Sequence, residues 1–419
     1  MVGVIVGILL LFLALGIPVG FGLMLTGAAG MWLSDIPLLT IPVQMFSGMD
    51  SFPLLAIPMF ILMGELMSAT SIAERLIQLA AALVGWLRGG LSQINVLTSM
   101  FMAEMSGSGV ADAAAVSKIF VPEMEKQGYP RAFAAAITAS SATLGIIIPP
   151  SIPAVLYGVT TNTSIRDLFI AGIVPGIILG GGFMIANYIF ARKGNFPVDS
   201  AFEVARLGVA FKRALVPLMI PVLVIGGLIV GFFTPTEASG IGVFIAFVFG
   251  LVLSRDLTFR KIFEVLTATA RQASVVMMLI AGSAILGQVL ANERIPQGLA
   301  AGLGALTDNY VLMLLLINLL LIALGMILHA TATIIIVVPI LLPLAQQIGI
   351  DPVHFGIIVC LNLGIGQQTP PVASIVLTVC SVTGVKLEEI MRYNKWFILV
   401  MFTVLMLVSY LPITALWFR

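Results

Sequence analysis

Along this chain, apolar residues run in long blocks with few polar interruptions. A block of roughly 20 such residues predicts a helix that spans a bilayer. Helical spans are predicted near 2–16, 17–33, 53–70, 168–190, 214–233, 238–254, 272–291 and 396–416. Two long regions, 92–165 and 310–383, break this pattern, because glycine, proline and serine punctuate their apolar runs. They are repeats of one another. Pro122 pairs with Pro343, Gly128 with Gly349, Gly145 with Gly366, Pro149 with Pro370 and Pro150 with Pro371, each at a spacing of 221. Upstream of a small offset change, "MGELMSA" from Met63 aligns with "LGQVLAN" from Leu286. The expected organisation is one transmembrane domain over 1–419, with a first repeat about 53–190, a connector 191–213 and a second repeat about 214–419.

Basic residues set the orientation, since cytoplasmic loops carry the excess of Lys and Arg. Arg192, Lys193, Arg206, Lys212 and Arg213 place the connector in the cytoplasm, as do Arg255, Arg260, Lys261 and Arg271 two spans later. Lys126 and Arg131 mark one side of the first repeat, whereas the matching loop from Gln346 to Pro352 has no Lys or Arg. Lys386, Arg392 and Lys395 mark the opposite side of the second repeat, where the first has only Arg166. The bias swaps sides, so the repeats are inverted.

Composition agrees with a membrane solvent: 60% of the 419 residues are hydrophobic and 9% charged. A net charge of +1 without a basic face offers nothing to a nucleic acid. Cys360 and Cys380 lie in apolar stretches without metal-ligand spacing and read as core. The opening "MVGVIVGILLLFLALGIPVG" lacks a basic leader region and reads as a retained membrane helix. With His329 and His354 as the only histidines and no nucleophile, base and orienting acid together, an enzyme is not expected, and no cofactor is implied. A repeated filter or charge ring, as a channel would carry, is not visible either.

The prolines carry the functional signal. Proline lacks a backbone donor and clashes with the carbonyl four residues back, so Pro149, Pro150, Pro370 and Pro371 interrupt their helices. Non-helical backbone at membrane depth is tolerated only inside protein or around a polar cavity. In "TLGIIIPPSIP" the freed oxygens are expected near Gly145 and Ile146, and in "NLGIGQQTPPVAS" near Gly366 and Gln367 with the Thr369 hydroxyl. Uncharged oxygen ligands suit sodium better than a transition metal. Upstream of each break lies a predicted re-entrant hairpin, about 92–126 and 311–348, with tips at "AEMSGSGVADAA" and "GMILHATATI". Asp112 is read as capping donors at the first tip or binding the ion, Glu104 as facing the site or snorkelling. His329 is read as a neutral tip residue or a proton-sensitive one. Glu237 in "TPTEAS" is read as starting a helix with a Thr cap, and the amphipathic stretch 257–272 as a helix lying in the interface.

"SGSGVADAAAVSKIFVPEM", "LGIIIPPSIP", "FFTPTEASG" and "GIDPVHFGIIVCLNLGIGQQTPPVAS", in this order and over essentially the whole chain, resemble the large membrane subunit of tripartite ATP-independent periplasmic (TRAP) transporters. The resemblance implies an all-α polytopic protein of the ion-transporter superfamily, built from inverted repeats with re-entrant hairpins and broken helices. It implies a multi-pass location in a bacterial inner membrane, and elevator motion. It also implies a sodium-driven importer that takes an organic anion, such as a C4-dicarboxylate, sialic acid or another sugar acid, from a soluble periplasmic binding protein. A small four-helix membrane subunit is expected as a separate chain. A stand-alone carboxylate symporter of the same superfamily, coupled to sodium or protons, is the alternative. By motif, Ser106, Gly107, Ser108 and Gly145 are expected at a first sodium site, and Gly325, Thr331, Gly366 and Thr369 at a second. Ser140, Thr143, His329, Gln367 and Gln368 are expected to face the substrate. His329 departs from the family pattern, which usually has an acid there.

Overall fold

In an apolar solvent each backbone N–H and C=O must find a partner within the chain, and an α-helix satisfies them segment by segment. The computed structural model describes residues 2–294, 298 and 309–419, and helix is the regular structure throughout these residues. Among them, seven stretches are long and apolar enough to cross a membrane: Phe52–Ala69, Ile165–Lys193, Val204–Val230, Pro235–Leu253, Phe259–Asn292, Ala330–Gln347 and Leu387–Tyr410.

In chain order the helices are α1 (Val2–Ala14), α2 (Val19–Leu33), α3 (Ile41–Met49), α4 (Ala56–Ala69), α5 (Ile72–Val84), α6 (Gly90–Ser106), α7 (Gly109–Lys126), α8 (Arg131–Ala142) and α9 (Ile152–Thr161). They continue as α10 (Ile165–Lys193), α11 (Val204–Val230), α12 (Pro235–Val248), α13 (Phe259–Asn292), α14 (Tyr310–Gly325), α15 (Ala330–Gln347), α16 (Pro352–Gln368), α17 (Ser374–Thr383) and α18 (Leu387–Tyr410).

Three sequence expectations shift in detail. The predicted spans 2–16 and 17–33 become helices of 13 and 15 residues, short of the roughly 20 needed to cross alone. The connector is helical at both ends, since α10 runs to Lys193 and α11 begins at Val204. The stretch 257–272 forms no separate interface helix. It opens α13, which runs unbroken for 34 residues, or about 51 Å. Thr258 caps α13 through Oγ1, which accepts from Lys261 N at 3.4 Å. Thr234 and Glu237 form the expected capping box at α12, with Glu237 Oε2 accepting from Thr234 N at 2.8 Å.

The helices sort into two groups. In one, α13 lies along α2, α3 and α4, α4 packs on α12, and α11 packs on α5 and α12. In the other, α6–α10 and α14–α18 enclose α8 and α16. Every residue of α8 from Phe133 to Ala142 is buried, as is every residue of α16 from Val353 to Gln368. A helix apolar or small-sided all round finds no stable place except such a core. The sequence of α8, "RAFAAAITASSA", keeps side chains small, so neighbours approach closely.

The two repeats exchange partners. Hairpin arm α7 packs on α17, and α15 packs on α9, so each arm is clasped by the half-helix beyond the other repeat's break. The closing helices cross over too, α18 against α8 and α10 against α16. Polar pairs recur within each repeat. Asn95 donates to Thr138 Oγ1 at 2.6 Å and Ser92 to Asn187 Oδ1 at 2.8 Å. In the second repeat Asn362 donates to Asn318 Oδ1 at 2.9 Å, and Asn318 to Ser409 Oγ at 3.1 Å. In both, the first hairpin arm is bonded to its broken helix and to its closing helix. Groups buried this deeply need partners, and these pairs supply them.

Candidate functional site

The first break follows α8. The chain tightens to a 3-10 turn at Thr143–Ile146, passes the cis Pro149-Pro150 bond and resumes as α9. Ser151 caps α9: its hydroxyl donates to Ile146 O at 2.6 Å and its Oγ accepts from Ala154 N at 3.4 Å. The second break follows α16, passes the cis Pro370-Pro371 bond and resumes as α17. Of the carbonyls expected to be freed, Ile146 O is taken by Ser151 and Gly366 O by the Thr369 N–H at 3.0 Å.

Each hairpin tip meets its own repeat's break through backbone. Gly107 turns the first tip in the left-handed region at φ +58°, where side chains are disfavoured, and its carbonyl accepts from Ile152 N at 3.4 Å. At the second tip, Met326 O accepts from Val372 N at 3.2 Å. Contact is close enough to require glycine. A Cβ on Gly107 would lie 2.9 Å from Pro150 O, and one on Gly366 would lie 2.6 Å from Gly325 Cα.

Gly107, Ser108 and Gly145 are gathered at the first tip, with the Asp112 carboxylate against Gly145, 2.7 Å from where a Cβ would stand. Capping of α7 falls to Ser108, whose Oγ accepts from Ala111 N at 3.5 Å. The side chains of Ser106 and Glu104 lie outside the described residues. At the second tip Gly325 abuts Gly366, and Thr369 donates to Ile365 O at 2.8 Å. Thr331 lies in the first turn of α15.

Between the two tips, the breaks and α13 lies a cavity of about 480 Å³. Its walls include Gly107–Ala111 of the first tip, Ile152 and Pro153 of the first break, His329, Ala330 and Thr331 of the second tip, and Gln367 of the second break. Ser374 Oγ donates to Gln367 Oε1 at 3.2 Å and so orients that amide. From the other helix group come Ile61 of α4 and Arg271, Gln272, Val275 and Val276 of α13. Small-molecule sites commonly enclose about 300–1,000 Å³, so the volume fits one organic acid.

Of the five residues expected to face substrate, His329 and Gln367 line the cavity, whereas Ser140, Thr143 and Gln368 do not. These three turn toward α18 and α8, because buried hydroxyls and amides must be paired there. Ser140 Oγ sits 2.7 Å from Asn394 Oδ1, Thr143 donates to Ser140 O at 2.5 Å, and Gln368 Nε2 donates to Ala139 O at 2.6 Å. Asn394 donates in turn to Gln368 Oε1 at 3.0 Å. Two functional candidates escape sequence reasoning. Arg271 counts there only toward a cytoplasmic charge bias, and Asn394 carries no local motif.

The electrostatics favour an anion. First-turn residues of α7, α9 and α15 open onto the cavity, and helix N-termini carry partial positive charge, which the Asp112 carboxylate in the first turn offsets at α7 alone. Arg271 adds a full charge, and no Asp or Glu is among the described residues that line it.

Comparison with known proteins identifies the family. Residues 6–414 match the family "Tripartite ATP-independent periplasmic transporter, DctM component". The chain is 36% identical over 407 residues to the Escherichia coli 2,3-diketo-L-gulonate TRAP transporter large permease protein YiaN, covering 97% of this chain and 96% of that one. It is 38% identical over 416 residues to the Vibrio cholerae sialic acid TRAP transporter large permease protein SiaM, covering 98% and 96%. Among solved structures, the Alcanivorax borkumensis YdaH transporter superposes with a TM-score of 0.61 at 16% identity, covering 88% of this chain and 87% of that one, which shows a shared fold. The chain therefore belongs to the DctM family, the large membrane permease subunits of TRAP transporters.

Proposed function

We propose that this permease imports an organic anion, a carboxylate or sugar acid, delivered by a periplasmic binding protein and driven by sodium. It works beside a separate small membrane subunit. The observation that carries the reading is the cavity itself: both tips, both breaks and three helix N-termini converge on one anion-sized space with no carboxylate among the described residues that line it. The relatives named for 2,3-diketo-L-gulonate and sialic acid point to the same class of cargo.

Two sodium sites are assigned to the tip and break pairs. The first comprises Ser106, Gly107, Ser108 and Gly145, and the second Gly325, Thr331, Gly366 and Thr369. Close backbone contact at each pair supports this, since an ion bound there gains ligands from both elements at once. In turn sodium orders the tips, and the anion enters between them. The group holding the tips then slides past the α2–α4 and α13 group as an elevator. Coupling requires that ions favour the cargo-competent state over the empty one.

The test is uptake into proteoliposomes holding the chain, its small subunit and its binding protein. Sialic acid, 2,3-diketo-L-gulonate and succinate would be supplied across a sodium gradient. Uptake of one acid that needs both sodium and the binding protein is the expected result. Uptake independent of the binding protein would replace the reading with a stand-alone symporter. A proton requirement in place of sodium would overturn the coupling and turn attention to His329.

A further inference from the structure

We infer that Arg271 is a one-sided anchor for the cargo's carboxylate, bound in the conformation seen here and released when the tips move away. The inference rests on the proposed anion transport.

Among the described residues lining the cavity, Arg271 is the one with a permanent charge. It makes no hydrogen bond or ion pair with any described residue, so its donors are open to a ligand. Its neighbour Gln272 is committed, donating to Glu65 Oε1 on α4 at 2.6 Å. That bond ties α13 to α4 and fixes the wall from which Arg271 projects. A guanidinium presents a planar fork that matches a carboxylate with two parallel N–H···O bonds, which a lysine does not reproduce.

What distinguishes Arg271 from the helix N-termini that line the cavity is its helix. The tips and breaks belong to the group built on α6–α10 and α14–α18, whereas α13 packs along α2, α3 and α4. If the two groups slide, the helix N-termini travel with the cargo and Arg271 stays behind. Arg271 lies about 18 Å into α13, counted at 1.5 Å per residue from Phe259, downstream of Arg255, Arg260 and Lys261. That basic cluster marks the cytoplasmic side, so the anchor serves the inward-facing cavity. A contact present in one conformation and absent in the other shifts the balance between them, which a charge travelling with the cargo does not.

The experiment compares wild type, Arg271→Gln and Arg271→Lys in proteoliposomes with the small subunit and binding protein. External binding protein selects the right-side-out carriers, and graded internal acid drives exchange. Sialic acid, 2,3-diketo-L-gulonate and succinate serve as probes, and thermal stabilisation of the purified chain by each acid gives a second readout. Arg271→Gln should raise the internal half-saturation about ten- to a hundredfold, a loss in the range for a charged hydrogen bond. The external value should stay within about twofold, and Arg271→Lys should recover only part of the loss. Its melting temperature without acid should match wild type. Unchanged internal half-saturation with intact wild-type transport would overturn the anchor alone. An equal rise on both faces would overturn its one-sidedness. A wild type neither transporting nor stabilised by any acid would overturn the functional reading and the anchor with it.

Discussion

An alanine at Gly366 tests whether the second tip must touch the second break. The added carbon would stand 2.6 Å from Gly325 Cα and 2.8 Å from Gly325 O, both backbone atoms that no rotamer change can move. Carbon contacts are comfortable at about 3.5–4.0 Å, so the tip and break must part by about 1 Å. Overpacking of this kind costs about 1–3 kcal/mol, against about 1 kcal/mol gained from alanine's helix propensity. Gly364, two positions earlier on the same buried helix, is a matched control. A Cβ there meets Met401 Cε at 3.4 Å and nothing nearer. Gly364→Ala should therefore leave the melting temperature unchanged or raise it, while Gly366→Ala lowers it. Because a binding site must be held to within about 0.5 Å, Gly366→Ala should also raise the sodium concentration for half-maximal uptake tenfold or more, about 1.4 kcal/mol. The assay is thermal melting plus a sodium titration of proteoliposome uptake. If the two variants match in both, the tip and break contact carries neither stability nor sodium binding.

Further substitutions probe the frame. Asn394→Leu leaves Ser140 and Gln368 short of partners in the core, and should cost about 1–3 kcal/mol of stability, read as a lower melting temperature in detergent. Asp351 Oδ1 accepts from Val353 N at 2.8 Å and His354 N at 3.3 Å, so Asp351→Ala should destabilise α16 by about 1 kcal/mol, while Asp351→Asn loses less. Partial burial pushes the Asp256 carboxyl up, but hydrogen bonds from Ser254 and Ser71 and the charge of Lys261 outweigh it and hold the group below its usual value. A depressed carboxylate stabilises the fold above its unfolded pKa and loses that contribution as pH falls through the folded one. Asp256→Ala should thus melt below wild type at neutral pH, with the gap closing below about pH 4. A gap that is constant with pH would count against this bond.

Much of the architecture was legible because lipid leaves the backbone few choices. Long apolar blocks had to be helices, and paired prolines at a constant spacing had to be interruptions. The boundaries blurred where length alone misleads. Gly16 and Pro18 shorten the first two helices, while nothing between Phe259 and Asn292 stops α13, so an amphipathic start and an apolar remainder became one rod. The site was legible as backbone and less so as side chains. Glycines at the tips and breaks mark close approach wherever they occur, but the direction of a hydroxyl on a fully buried helix depends on which neighbour needs it. Ser140, Thr143 and Gln368 sit on α8, just after it or beside the second break, yet point to α18 and α8, because Asn394 is there to pair with Ser140 and Gln368, and Ser140 O with Thr143.

By itself, then, the sequence determined the membrane solvent, the repeat, the two breaks and the positive bias that orients them. Each of these follows from local chemistry: hydropathy, proline's missing donor, and charge counted loop by loop. Tertiary structure alone decided that the repeats exchange partners, with α7 clasped by α17 and α15 by α9. It alone placed Arg271 of the other helix group across the cavity from both tips. Such pairings join residues far apart in the chain, and only packing in three dimensions selects among them.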